Sequence, residues 1–404
     1  MAEVRPFCAL RPPPDLAARV ASPPYDVVST KEARALAEGN AVSFLHVTRP
    51  EIDLPEGTDE HADEVYAAAR RNLEAMVEEQ WLRRDAEPSL YLYAQAMGEH
   101  TQIGVVGCAS VAEYDGDLIK KHEKTRADKE DDRTRHIAEL SAHDEPVFLT
   151  YRADPRVDGL VASARLAPPV YAFVTPDGIG HTFWALDRAT TRELCRAFEA
   201  VRCLYVADGH HRSAAASRVH RERRGDGGEH DAFLAVVFPH DQMKILAYNR
   251  VVRDPQGRSA EALLAAIRER LDLTPSERPA PDAAKSFGLY LGGAWYRARV
   301  RPGSFDAKDP VASLDCSICQ DQILGPIFSV KDPRRDAHVD FVGGIRGHRE
   351  LERRVDSGEM SAAIHLYPTS IEELMAVSDA GLLMPPKSTW FEPKLRSGLF
   401  VHAF

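Results

Sequence analysis

The segment Leu204-Tyr205-Val206-Ala207-Asp208-Gly209-His210-His211-Arg212 leaves a chain few choices. Four apolar residues run into an acid and a glycine, and the small residues Ser213, Ala214, Ala215 and Ala216 follow, so a strand must turn sharply into a helix beginning near His210. The small residues let that helix pack tightly on a sheet, and Gly209 permits close approach of another group to the backbone. A helix start offers N–H groups without intrahelical acceptors and the positive end of the helix dipole. His210, His211 and Arg212 place cations in that first turn, where the dipole disfavours them, and this points to a bound anion. The alternative is an ordinary helix capped by Asp208, with exposed histidines. Zinc held by His210 and His211 together is a weaker reading, because neighbours on a helix diverge by about 100°.

Around this junction the sequence reads as an α+β chain with a mixed sheet. Its 404 residues exceed the roughly 250–300 that one core usually serves, so more than one packed unit is expected. The proline-rich run SERPAPDAA at 276–284 is the best boundary, giving a main region 1–275 that holds the strand–glycine–helix segment and a C-terminal α/β region 285–404. Prolines make residues 12–24 loop or edge structure, a helix starts near Ser29, and SFLHVTRPE at 43–51 reads as a short strand. Residues 60–82 carry Val65, Tyr66, Ala69, Leu73 and Met76 at helical spacing. SLYLYAQAM and TQIGVVGCASVAEY read as a hairpin about Gly98-Glu99-His100. The charged run 118–146 reads as helix or ordered loop with a solvated face, and ERRGDGGEHD as a surface loop.

Lys and Arg number 51 against 62 Asp and Glu, a formal charge of −11, which argues against nucleic acid or anionic membranes as bulk partners. A local basic pocket for a small phosphorylated ligand stays allowed. No apolar run approaches a signal-peptide core or the ~18–20 residues of a membrane helix, so a cytoplasmic protein is expected. The six cysteines lack the density of a disulfide framework, and Cys316-Ser317-Ile318-Cys319 has no second pair at zinc spacing, so these read as reduced core residues.

Two further segments carry candidate chemistry. Glu123 stands beside His122 and among Lys120, Lys121 and Lys124, a setting that could keep a carboxylate ionised as a base or Mg²⁺ ligand; the alternative is a solvated charge run. MPPKSTWFEPK at 384–394 is not a P-loop, since it lacks the glycines and its prolines remove the N–H groups a phosphate cradle needs. It reads instead as a rigid loop presenting Lys387, Ser388 and Lys394 to an anion, or as a structural loop anchored by Trp390 and Phe391. Asp26, after Tyr25 in a proline-led turn, and Arg49, beside Pro50, are second-rank candidates for contacting a ligand.

VADGHHRSAAA resembles the signature of ParB-like and sulfiredoxin-like nucleotide-binding domains, and more closely that of the free serine kinases built on that fold. PPYDVV at 23–28, HVTRPE at 46–51, IKKHEKT at 119–125, DEPVF at 144–148, YNRVV at 248–252 and MPPKSTWFEPK look like a long-uncharacterised bacterial family related to those kinases. The resemblance implies a ParB/sulfiredoxin-like nucleotide-binding core with an additional α/β subdomain. It also implies phosphorylation of free L-serine to O-phospho-L-serine by ATP or ADP with Mg²⁺. On that basis Glu123, Asp208 and His210 are assigned to catalysis, with Glu123 as base and Asp208 as Mg²⁺ ligand. Gly209, His211, Arg212, Lys387 and Ser388 are assigned to phosphates, and Asp26 and Arg49 to the substrate. The rival readings are a ParB-like nucleotide sensor without turnover and a metal-dependent phosphoesterase.

Overall fold

The structure is a computed structural model that describes residues 2–224, 226 and 228–404. Gly225 and Gly227 of the loop read after the His210 helix lie outside the described residues. The chain divides into two compact units, Met1–Met243 with Pro393–Phe404, and Lys244–Glu392. The run 276–284 lies inside the second unit, between the strands Leu271–Pro275 and Ser286–Leu291.

The first unit is built on a nine-stranded mixed sheet. Its order is Ile119–Lys120, Leu204–Asp208, Val147–Tyr151, Ala232–Pro239, His100–Ser110, Tyr91–Met97, Gly180–Ala185 and Tyr171–Val174, with Val4–Arg5 paired onto His100–Ser110. Two neighbouring pairs are parallel: Leu204–Asp208 with Ile119–Lys120, and Val147–Tyr151 with Ala232–Pro239. Every residue of these last two strands is buried, which is why their sequences, VFLTY and AFLAVVFP, run almost continuously apolar instead of alternating. Side chains such as Leu149, Leu204, Val206, Phe198 and Phe233 form the core against which the flanking helices pack. Each such burial contributes about 1.5–3 kcal/mol.

Local signals account for most element boundaries. Ser29 and Glu32 form a reciprocal capping box at the start of the helix Thr30–Ala37. Met97 pairs with His100, so the hairpin turns on Gly98, at φ 60°, and Glu99, while His100 already belongs to the strand. The helix Asp63–Glu78 buries Val65, Tyr66, Ala69, Leu73 and Met76.

Three local expectations are corrected. SFLHVTRPE is helical, with an α-turn over Leu45–Thr48 and a 3-10 turn over Pro50–Asp53. Phe44 and Val47 enter one apolar cluster while Leu45 and Ile52 enter another, a spacing that a helix satisfies and a strand, alternating faces, does not. The residues after Ser110 form a short helix, Val111–Asp115, capped by the Ser110 hydroxyl. About half of the charged run is the helix Ala127–Leu140, and its face is not simply solvated: Asp132, Arg133, Thr134 and His136 are buried. Pairing makes this tolerable, since the Tyr66 hydroxyl donates to Asp132 at 2.7 Å, Arg133 pairs with Asp132 at 2.9 Å and His136 meets Asp144 at 2.9 Å.

The last twelve residues return to the first unit. Leu10 and Val401 exchange backbone hydrogen bonds, His402–Ala403 pairs with Ala142–His143, and Phe400 lies against Tyr93 and Phe183. Gly398 turns this segment at φ +84°, and a Cβ there would lie 2.6 Å from the Cβ and Cγ of Phe44. Gly398→Ala therefore combines left-handed strain with overpacking and is expected to destabilise by about 2–4 kcal/mol. A urea midpoint equal to that of the unaltered protein would contradict this close approach.

His181, on the strand Gly180–Ala185, is buried between the Tyr93 hydroxyl at 2.7 Å and the Thr175 hydroxyl at 3.1 Å. Burial and the adjacent Arg396 push its pKa down to about 3. Between the unfolded value of about 6.5 and that folded value the unfolded chain binds the extra proton, so stability falls as pH falls. The loss from this one ring approaches about 1.4 kcal/mol per pH unit. Urea midpoints measured from pH 6 downward are expected to show a shallower decline for His181→Gln than for the parent.

The second unit carries a six-stranded antiparallel sheet in the order Leu271–Pro275, Ala294–Val300, Ser286–Leu291, Ala362–His365, Tyr248–Val252 and Val339–Gly343. All six cysteines are free, and Cys316 and Cys319 are buried in this unit. Among the described residues no helix is long and apolar enough to cross a membrane.

Candidate functional site

The first unit gathers its polar chemistry where two neighbouring parallel strands end. Leu204 pairs with Ile119 and Tyr205 with Lys120, so the residues that follow each strand leave the sheet side by side. Ligands bind preferentially beyond the carboxyl ends of such strands. Here one strand delivers His122 and Glu123, and the other delivers Asp208, Gly209 and His210.

Gly209 has φ 93° and ψ 31°, the left-handed conformation that a side chain disfavours, and no side chain caps the helix His210–Glu222 that it opens. A Cβ on Gly209 would meet the Arg212 guanidinium at 3.3 Å and the Val147 backbone at 3.4 Å. The Asp208 carboxylate turns back to accept the Gly209 N–H at 2.9 Å and the Lys394 ammonium at 2.8 Å. Burial opposes ionisation of Asp208, but Lys394 and Arg212 outweigh it and hold its carboxyl well below the usual range. Lys394 is brought to this place by the returning C-terminal segment, whose Lys394 carbonyl also accepts from Gln95 at 2.8 Å.

His211 is half-buried, and its Nε2 accepts the Arg126 N–H at 3.1 Å, fixing the loop between Lys120 and the helix Ala127–Leu140. Arg212 is buried and donates to the Pro146 carbonyl; Glu145, Asp26 and Asp208 sustain its charge. Burial pushes the Glu145 carboxyl up, against Arg212, and its Oε1 accepts from the Tyr25 N–H at 2.9 Å and the Ser397 hydroxyl at 2.8 Å. Glu145 was not among the expected site residues; its only signal is its place in DEPVF.

His210 and His122 are 5% and 1% exposed, and their rings meet edge to face with centroids 4.4 Å apart. Burial lowers the pKa of both, His122 to about 4. The Val206 backbone lies near His122 and favours its charged form, while neither His122 nitrogen, nor His210 Nε2, meets a partner with full hydrogen-bond geometry. Glu123 is half-buried beside them.

Asp26 is exposed in the 3-10 turn Tyr25–Val27 and lies within electrostatic reach of His211 and Arg212. Arg49 donates to the Thr30 hydroxyl at 2.7 Å and pairs with Glu51 at 2.8 Å, on the wall of a narrow cavity also lined by Tyr25, Asp132 and Arg133. Lys387 and Ser388 belong to the second unit. There Lys387 adopts φ 55° with its ammonium over the Tyr248 ring at 5.5 Å, while the buried Ser388 hydroxyl donates to the Pro385 carbonyl at 2.6 Å.

Residues 4–317 match the model of a family described as protein of unknown function (DUF1015). No curated protein matches the chain. Among solved structures, a free serine kinase in complex with AMP is 12% identical with a TM-score of 0.36, covering 74% of this chain and 91% of that one. SbnI with a C-terminal truncation from Staphylococcus aureus is 13% identical with a TM-score of 0.40, covering 74% and 87%. A conserved hypothetical protein from Pyrococcus furiosus is 13% identical with a TM-score of 0.36, covering 74% and 95%.

Proposed function

We propose that this chain, which belongs to the family described as protein of unknown function (DUF1015), is a nucleotide-dependent phosphotransferase acting on free L-serine. The reading takes the first unit as a ParB/sulfiredoxin-like nucleotide-binding core. The observation that carries it is the left-handed Gly209 at the end of a buried strand, opening a helix whose first-turn N–H groups have no intrahelical acceptors. Such a turn suits an oxyanion. The turn at Gly209, through the helix-start N–H groups that follow it, and His211 contact the phosphates of ATP or ADP, and Arg212, anchored on Pro146, adds a fixed positive charge behind them. Asp208, kept ionised, offers the oxygen chemistry that Mg²⁺ requires, and Mg²⁺ supplies neutralisation of phosphate charge.

Glu123 accepts the proton of the serine hydroxyl as that oxygen forms its bond to the terminal phosphorus. The bond from that phosphorus to the leaving nucleotide breaks, giving O-phospho-L-serine with ADP from ATP, or AMP from ADP. His210 lines the same strand ends, and Asp26 and Arg49 hold the amino acid.

The test is to incubate the full chain with Mg²⁺, ATP or ADP, and each hydroxy amino acid in turn, and to search for phosphorylated product by mass spectrometry. O-phosphoserine formed only with nucleotide is the expected product. Nucleotide binding without transfer to any amino acid would favour a sensor instead, and phosphate release from O-phosphoserine without nucleotide would favour a phosphoesterase.

A further inference from the structure

We propose that His122, Glu123 and His210 form a binding site for a borderline transition-metal cation such as Zn²⁺, separate from any Mg²⁺ carried by a nucleotide. One nitrogen from each ring and one Glu123 carboxylate oxygen lie within 4.8 Å of one another, a group of three found among the described residues. A tetrahedral ion with bonds of about 2.0–2.1 Å sets its ligands about 3.3 Å apart, so closure needs shifts of only about an ångström. The two histidines come from different elements, which removes the divergence that prevents His210 and His211 from sharing an ion.

A second observation is independent of that spacing. Three buried ring nitrogens, both of His122 and Nε2 of His210, meet no partner with full hydrogen-bond geometry, the Val206 backbone being the nearest polar group to His122. Each unsatisfied buried polar atom costs about 1–3 kcal/mol, and an absent ion is one of the few things that explains such a group. Neutral imidazoles in a buried setting have the lone pairs such an ion needs. Two nitrogens and one oxygen suit Zn²⁺, Co²⁺, Mn²⁺ or Fe²⁺, whereas Mg²⁺ prefers an all-oxygen shell. Three protein ligands also leave a position open to an exogenous oxygen. Glu123 is then a ligand when the ion is present and remains available for the proposed role of base when it is not.

The binding does not rest on the phosphotransferase reading, and its test needs no turnover. The full chain is stripped with a chelator and titrated with Zn²⁺, and separately with Co²⁺ as a coloured reporter. One equivalent per chain is expected, undiminished by excess Mg²⁺, with zinc-dependent shifts of two histidine ring ¹⁵N resonances. His122→Ala and His210→Ala should each weaken Zn²⁺ binding by more than about tenfold, and Glu123→Gln, at a half-buried loop position, should do so without emptying the core. Absence of binding to the stripped protein would mean the rings are bridged by water and would overturn the site. Binding that survives in both histidine variants would overturn it equally, placing the ion elsewhere, for instance at His220 and His230, whose Nδ1 atoms are 3.1 Å apart. If the alanine variants do not fold, the ring resonances of the unaltered chain and the affinity of Glu123→Gln decide, and unchanged values in either overturn the site.

Discussion

Glu123→Gln is expected to lower phosphoryl transfer to serine by about 10²–10⁴-fold, the range associated with loss of a positioned general base. The substitution keeps the shape of the side chain and removes its ability to take a proton. Affinity for ATP or ADP should stay within about twofold of the parent, because the phosphate contacts are assigned to the Gly209 turn. Single-turnover kinetics and nucleotide titration separate the two effects. Full activity in Glu123→Gln would remove the base from this position, and a parallel collapse of nucleotide affinity would mark Glu123 as part of the binding site.

The largest structural effect is expected at Asp208. Asp208→Ala leaves both the Lys394 ammonium and the Gly209 N–H without their acceptor. Removing one member of a buried ion pair costs about 3–5 kcal/mol, and the partial exposure of this pair, 29% for Asp208 and 19% for Lys394, places the loss near the lower end. The sign with pH follows from the depressed carboxyl. Asp208 contributes above the unfolded carboxyl pKa of about 3.9, and the contribution disappears as pH falls through the folded value. The difference in urea midpoint between parent and Asp208→Ala should therefore be largest near neutrality and shrink in acid. Asp208→Asn combined with Lys394→Met should recover part of the loss, since neither partner then leaves a stranded charge. A double variant no better than Asp208→Ala would show that the pair is not the source of the effect.

How much of this was legible in the sequence depended on how local its cause is. The strand, the glycine and the helix at 204–222 are encoded within a few residues of one another, as are the Ser29 capping box and the Gly98 turn, and the structure has them where local rules put them. SFLHVTRPE misled because its run of apolar residues fits either period; only the two clusters that receive Phe44 and Leu45 decide between them. The buried charges at Asp132, Arg133 and His136 were illegible for a related reason, since a densely charged run looks solvated until its partners, Tyr66 and Asp144, are known. At the site, Glu123 and His210 could each be named from their neighbours. Their meeting through His122 depends on the parallel pairing of two strands 85 residues apart, Ile119 with Leu204, which no local pattern announces.

The return of residues 393–404 to the first unit has a consequence for the order in which the protein comes into being. A ribosome releases the Gly209 turn, with Asp208 already in the sequence beside it, long before Lys394 exists to neutralise that carboxylate. The interposed Lys244–Glu392 unit has the strands of its six-stranded sheet contiguous in the chain, so that sheet does not wait for residues 393–404. The Asp208–Lys394 pair can therefore form only once the interposed unit has been made, and a chain cut short before residue 394 would carry the Asp208 carboxylate without its ammonium partner.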